Sequence, residues 1–312
     1  MKKRAIIFLL VSLTVMSVIL PALAAATPSE NVETPEPVSA EVEQEPEPEQ
    51  EAEPEAFIFL NGQPQFLEYE LRNGITYVTV NSFVSMMDPQ AVVEEEDGAA
   101  AVSSVRVTQI VDAEGNTASV VQETLSMAAS VRMAYMVANG RYFYVKDNLI
   151  MLNGRVAVPV RVLAKVFNLD VGYNGSVLLT SNQNRGAYIE SGDSYYNGDT
   201  LYWLSHIIYA ESGNQSLDGK IAVGNVVMNR VNDPQFPNNI YDVLYQENQF
   251  SPVYSGSIWD TPNDESVVAA KLVMDGAQIM PTALFFNTVG ASTFASRTRP
   301  YIATIGAHAF YS

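Results

Sequence analysis

Asp199-Thr200-Leu201-Tyr202-Trp203-Leu204-Ser205-His206-Ile207-Ile208-Tyr209-Ala210-Glu211 is the stretch from which the rest of the chain can be read. Leu201, Leu204 and Ile208 step by three and four, the spacing of one apolar face of a helix. The next position on that face is Glu211. Asp199 or Thr200 can cap the start, and Gly213 stops the helix two residues beyond the glutamate. The pattern predicts a carboxyl group in the last turn, on the buried side, where the helix ends and a cleft can open. Burial there disfavours the ionised form and keeps a proton available near neutral pH, as a general acid requires. Two plainer readings compete: a glutamate at the edge of the stripe that reaches solvent past Gly213, or one paired with an arginine such as Arg230.

The chain has 312 residues, enough for two domains once the ends are set aside. Residues 1–26 have the form of a secretory signal. Lys2, Lys3 and Arg4 precede an apolar run from Ala5 to Leu20, and Ala22-Leu23-Ala24 fits a small-residue cleavage site. An uncleaved membrane anchor is the rival reading. The expectation is an exported protein, extracellular or held in the cell envelope, the spore included. The sequence contains no cysteine, which excludes disulfides, thiol catalysis and a lipid-modified cysteine behind the signal. Net charge is −18, and eleven of the 35 acidic residues lie between Glu30 and Glu55 with no basic residue among them. That Pro/Glu-rich stretch, residues 27–56, cannot bury a core and reads as a disordered acidic linker. No basic stripe remains to neutralise phosphates, so no nucleic-acid partner is expected.

Residues 57–181 hold a weak internal repeat. Arg72-Asn73-Gly74-Ile75-Thr76-Tyr77-Val78-Thr79-Val80 corresponds to Leu152-Asn153-Gly154-Arg155-Val156-Ala157-Val158-Pro159-Val160. In each copy an Asn-Gly turn leads into an alternating strand and then a short apolar helix, around Phe83–Met87 and Val162–Phe167. Strand-like runs follow at Ala99–Ser103 and Ser176–Thr180, with further Asn-Gly turns at residues 61–62 and 139–140. Residues 104–132 fit neither copy and read as an inserted hairpin. Residues 182–198, rich in Asn, Gly, Ser and Asp, read as a linker. The remainder, 199–312, reads as mainly helical with a small sheet. Ser216 can cap a helix from Leu217 to Val231, Asn238 or Asn239 a short one to Gln246, and Asn263 another that ends before Gly276. Ala283–Asn287 reads as a strand. The expected fold is α+β in two domains.

Several familiar chemistries are missing from this sequence. Only His206 and His308 exist, and no His-Glu-x-x-His pair is present, so a zinc peptidase lacks ligands. There is no Gly-x-Ser-x-Gly elbow and no glycine-rich phosphate loop. No metal and no cofactor are expected. A carboxyl site remains.

Two stretches carry family resemblances. The pattern from Leu152-Asn153-Gly154 through Val158-Pro159-Val160-Arg161 to Phe167 and Val171-Gly172-Tyr173-Asn174 resembles the copper amine oxidase N-terminal-like domain. The first copy departs from it, with Asn81 where the second has Arg161. This half has no histidine or cysteine for copper, and the resemblance implies an accessory module of binding or positioning, through which an envelope protein partner could attach. In the second half, Tyr209-Ala210-Glu211-Ser212-Gly213, Gly219–Val231, Phe236-Pro237-Asn238-Asn239-Ile240 and Gln249-Phe250-Ser251-Pro252-Val253 resemble the SleB-like cell wall hydrolases, the spore-cortex lytic enzymes and their relatives. The likeness continues through Phe285-Phe286-Asn287 to Ile305–Tyr311 and covers essentially all of 199–312. Asn214 departs from it, where many members carry a glutamate.

What the second resemblance implies is a lysozyme-like catalytic domain that cleaves peptidoglycan glycan strands, with Glu211 as the catalytic acid of a lytic transglycosylase. A hydrolytic muramidase and a non-catalytic wall-binding protein stay open as alternatives. Hydrolysis would need a second carboxylate, for which Asp218, Asp242 and Glu247 are the candidates. Asn229, Arg230, Gln249, Phe250, Ser251, Asn287 and His308 are candidate substrate-binding residues, each with a structural reading beside it. Arg230 serves equally as a salt-bridge residue, Phe250 as a buried loop anchor, and His308 as a core histidine bonded to backbone. Trp203 and Tyr209 read as packing residues. Vegetative wall and spore cortex remain equally open as substrates.

Overall fold

The computed structural model describes residues 57–111, 117–182 and 185–312. The expected export signal at 1–26 and the expected acidic linker at 27–56 lie outside the described residues. Among the described residues no helix is long and apolar enough to cross a membrane. The first part is β-rich with short helices, and the second is mainly helical with a three-stranded sheet.

The internal repeat is a repeat of structure. Hairpins Tyr69–Arg72/Ile75–Thr79 and Ile150–Leu152/Arg155–Pro159 join edge to edge, with Thr79 opposite Ala157 and Val78 opposite Val158. Both close on Asn-Gly turns with positive φ, 51° and 76° in the first and 49° and 78° in the second. That left-handed pair of residues matches the twist of the strands and explains the choice of Asn and Gly. Each hairpin runs straight into a helix, α1 at Val80–Met87 and α2 at Val160–Val166. Phe83, Val84, Leu163 and Val166 bury the inner faces of these helices in one core with Val78 and Val158.

The copies diverge after their helices. The hairpin Leu169–Tyr173/Val177–Ser181 is extended by Ile58–Leu60, which pairs in parallel with Val177–Leu179. The corresponding strand of the first copy, Ala99–Val111, pairs along its whole length with Thr117–Ser130. The expected insertion at 104–132 is therefore the outward continuation of a strand that starts at Ala99, not a separate hairpin. Val92–Glu96 on one side and Tyr135–Ala138 with Arg141–Tyr144 on the other complete this five-stranded sheet.

Within the expected linker, residues 185–198 make contacts with the first module. Tyr188 and Ile189 are buried in the core of the first module. Asn168 donates to the carbonyls of Gly186 and Tyr188, and the Gly192 N–H donates to the Asn139 carbonyl. A single turn, α3 at Gly192–Tyr195, then leads into the helical part.

Helix α4, Gly198–Ser212, contains the opening stretch. Its cap is Asn197, whose Oδ1 accepts from the Thr200 N–H at 2.9 Å, so the helix begins earlier than an Asp199 or Thr200 cap implies. From Leu204 to Ile208 it is buried on every side. Helix α5, Leu217–Asn232, capped by Ser216, packs against it, as does α8, Asp264–Met274, capped by Asn263. Gly224 makes the closest approach: a β-carbon there would lie 2.9 Å from Ile208 Cδ1 and 3.0 Å from Val273 Cγ2. Short helices α6, Ile240–Leu244, and α7, Ser251–Ser255, close one side of the bundle. The antiparallel strands Phe285–Thr288, His308–Tyr311 and Tyr301–Ile305 form the small sheet, with α9, Phe294–Thr298, beside its edge.

Candidate active site

The last turn of α4 faces a cleft of about 800 Å³. Its walls come from the end of α4, Arg230 of α5, the 248–255 segment, the sheet strands carrying Asn287 and His308, and the turn at Ala291 and Thr293. Glu211 stands half-buried at this junction. Ser212, one residue on, turns its hydroxyl back to the Ile208 carbonyl at 2.7 Å and is buried. Gly213 then ends the helix in a right-handed conformation, so its handedness does not require glycine. Space does: a β-carbon at 213 would lie 2.7 Å from the Tyr209 carbonyl oxygen and 2.9 Å from the Tyr209 ring.

Among the described residues nothing donates a hydrogen bond to the Glu211 carboxyl and no cation pairs with it. Burial alone pushes it up from 4.5 to about 7. Near neutral pH a substantial fraction of the molecules hold a proton at this position. Among the described residues Glu211 is also the only one with a carboxyl group that lines the cleft. Asp218 accepts instead from the Tyr144 hydroxyl at 2.9 Å, Asp242 from the Asn239 amide at 2.7 Å, and Glu247 lies off the cleft beside Asn248.

Arg230, near the end of α5, lines the cleft but is only 4% exposed. It makes no ion pair. Its Nε donates to the Leu284 carbonyl at 2.7 Å, and its guanidinium carbon lies 5.0–5.1 Å from the ring centres of Phe236, Phe250 and Phe285. Three aromatic faces replace the missing carboxylate. Burial lowers its pKa to about 10, so it stays cationic at neutral pH. The pairing of Arg230 with Glu211 entertained above does not occur.

His308 is buried against the cleft, edge-on to Phe286 at 5.2 Å, and its Nδ1 has no partner. It is thus not a core histidine bonded to backbone. Burial lowers its pKa, which leaves a neutral imidazole at the wall. Asn287 lines the cleft with its Oδ1 fixed by the Thr293 hydroxyl at 2.7 Å. Gln249 and Ser251 also line it.

One candidate is placed otherwise than the sequence suggests, and another takes its structural alternative. Asn229 points away from the cleft, and its amide donates to the carbonyls of Met280 and Ala283 at 2.8 and 2.9 Å, pinning the turn before the sheet. Phe250 borders the cleft but is 1% exposed beneath Arg230, the arrangement of the buried loop anchor that was its alternative reading. The sequence reading missed Tyr254, Thr288 and Thr293, which complete the cleft wall. Thr293 carried a detectable signal, because it forms a capping box with Ser296 at the start of α9.

Comparison with known proteins gives two family matches. Residues 214–311 match the family described as Cell Wall Hydrolase, and residues 60–179 match the Copper amine oxidase N-terminal domain. Glu211 lies three residues ahead of the first of these segments. A protein named spore cortex-lytic enzyme from Bacillus cereus is 32% identical over 129 residues, 41% of this chain and 49% of that one. One of the same name from Oceanobacillus iheyensis is 31% identical over 116 residues, 37% of this chain and 42% of that one. The crystal structure of the catalytic domain of the Bacillus cereus SleB protein is 30% identical, with 38% of this chain and 92% of that chain covered and a TM-score of 0.36. The chain spans about half the length of the curated relatives it matches. Its first part is thus similar to the copper amine oxidase N-terminal domain and its second to the cell wall hydrolases.

Proposed function

We propose that this chain is an exported enzyme of the cell envelope that cleaves peptidoglycan glycan strands as a lytic transglycosylase, with Glu211 as its single acid and base. The observation that carries the reading is one half-buried, unpaired carboxyl, raised to about 7, alone among the acids of its cleft. Neutral Glu211 donates its proton to the oxygen that joins N-acetylmuramic acid to N-acetylglucosamine. As that bond breaks, an oxocarbenium-like centre forms at C1. The C6 hydroxyl of the same muramic acid closes onto C1, and its proton passes to the Glu211 carboxylate. The enzyme is regenerated, no water is consumed, and the product ends in an anhydro sugar.

Gln249, Ser251 and Asn287 supply the amide and hydroxyl groups suited to N-acetyl and sugar oxygens along this wall. Hydrolysis would need a second carboxylate, at about 5–5.5 Å for retention or about 6.5–9.5 Å for inversion. The positions of Asp218, Asp242 and Glu247 off the cleft favour the transglycosylase over the muramidase. The names of the relatives point to spore cortex as one substrate. The export reading rests on residues 1–26 of the sequence.

Mass spectrometry of fragments released from vegetative sacculi and from cortex tests the proposal. Anhydro-muropeptides from either substrate support it, and which substrate yields them identifies the target. Reducing-end products, heavier by one water, would establish the muramidase instead, and no release from either would leave a wall-binding protein.

A further inference from the structure

Both tryptophans of this chain, Trp203 and Trp259, meet on one surface of the helical domain. Trp203 projects from the first half of α4 and is half-buried. Around it lie Tyr202 at 5.1 Å, Tyr241 at 5.3 Å, Trp259 at 5.7 Å and Tyr245 at 6.0 Å between ring centres, while Tyr241 and Tyr245 stack at 4.3 Å. Three elements contribute these rings: α4, α6 with the residue that caps its end, and the short 3₁₀ turn Ser257–Trp259. A core would bury them, yet Trp259 is 59% exposed, Tyr241 47% and Tyr202 42%. Five contiguous rings, three of them open to water, form an apolar surface of the kind that marks a binding site.

A groove of about 540 Å³ lies against this platform. Trp203 and Tyr241 contribute to one side, and Asp199, Thr200, Asn238 and Asn239 provide carboxylate, hydroxyl and amide groups on its lip. Aromatic faces beside short polar side chains suit a sugar ring, whose C–H faces are apolar and whose edges carry hydroxyl and N-acetyl groups. None of the cleft-lining residues lines this groove, so the two are separate. They share α4, with Trp203 eight residues before Glu211, about 12 Å along the helix.

We infer that this aromatic groove is a second glycan-binding site, which holds a peptidoglycan strand on the enzyme beside the cleft that contains Glu211. The identity of the ligand as a wall glycan rests on the function proposed above; the groove and its exposed rings do not. Such a site would keep the enzyme on an insoluble polymer between successive cuts, because a second contact on the same strand raises its effective concentration at the cleft.

Because Trp203 lines the groove and Trp259 packs against Trp203 at 5.7 Å, the emission of the full chain reports the groove's occupancy. The test uses the Glu211→Gln chain, to prevent cleavage, titrated with soluble uncrosslinked glycan strands. A saturable change in tryptophan emission is expected, lost in Glu211→Gln chains that also carry Tyr241→Ala. Trp259→Ala should weaken retention on purified sacculi about tenfold in a sedimentation assay. Unchanged far-ultraviolet circular dichroism and thermal midpoint show that these variants fold. Emission that stays flat while strands bind would overturn the inference, as would full retention by folded Trp259→Ala. A concentration-dependent dimer abolished by Trp259→Ala would assign the patch to a second copy of the chain and equally overturn it. A chain that shows the emission change but releases no fragments in its wild-type form loses the proposed activity and retains this site.

Discussion

At the level of single residues, the unusual quantity is the affinity of Glu211 for its proton. A carboxyl raised from 4.5 to about 7 by burial alone is protonated in the folded chain at pH values where the unfolded chain has released its proton. Two consequences differ in kind. For catalysis, kcat/KM on soluble strands should be flat below about pH 7 and fall about tenfold per pH unit above it. A profile that still rises between pH 7 and 9 would exclude Glu211 as the acid. For stability the sign is opposite to that of a salt-bridged carboxylate. The folded state binds the extra proton, so stability is full below 4.5 and declines as pH rises towards about 7, by about 3 kcal/mol if the whole shift is expressed. Glu211→Gln removes this dependence. Its thermal midpoint should match the wild type at pH 4 and exceed it at pH 8; equal midpoints at both values would show that the carboxyl is not desolvated. The apolar spacing of Leu201, Leu204 and Ile208 made Glu211 readable from sequence. Asn229 was not readable in the same way, and Phe250 only as a choice between cleft residue and buried anchor. What decides their roles is the carbonyls of Met280 and Ala283 and the guanidinium of Arg230, groups that local spacing does not bring together.

Among the elements, the helices were the most readable. Ser216 and Asn263 cap α5 and α8 as their side chains suggest, because capping is a contact made within three residues. The Asn-Gly hairpins were readable for the same local reason. The length of the Ala99–Val111/Thr117–Ser130 ribbon was not, since its register depends on thirteen pairings along two strands and on no single turn residue. How tightly α4 and α5 approach also depends on both helices at once. Gly224 has Ile208 and Val273 at the limit of contact. Gly224→Val should overpack this crossing and cost about 2 kcal/mol in urea unfolding, with activity lost in parallel because Ile208 is on the helix that carries Glu211. A valine variant as stable as the wild type would mean that the helices separate freely there.

For the molecule as a whole, residues 57–312 fall within one compact unit, and the composition of 182–198 gave no sign of this. The joint is made by Asp275, at the end of α8. Its buried carboxylate accepts from Arg141 Nε at 3.1 Å, the Tyr142 N–H at 3.2 Å and the Tyr196 hydroxyl, and it pairs with the Arg141 guanidinium. Burial and the Asp275 hydrogen bond push the Tyr196 hydroxyl pKa far up, so it remains a donor throughout the working range. Arg141 and Asp275 are 134 positions apart, and no local pattern announces such a pair. Asp275→Ala leaves the half-buried Arg141 without its partner and should cost about 3 kcal/mol. Denaturant unfolding should then separate into two transitions where the wild type shows one; a single undisplaced transition would show that the two parts do not lean on each other. The account as a whole depends on a proton transferred from Glu211 to a glycosidic oxygen, and the most direct measurement compares fragments released from purified peptidoglycan by the wild-type chain and by Glu211→Gln. The wild type should liberate anhydro-muropeptides and the folded variant should lose at least about a hundredfold of that release, whereas undiminished release by the variant would contradict the account.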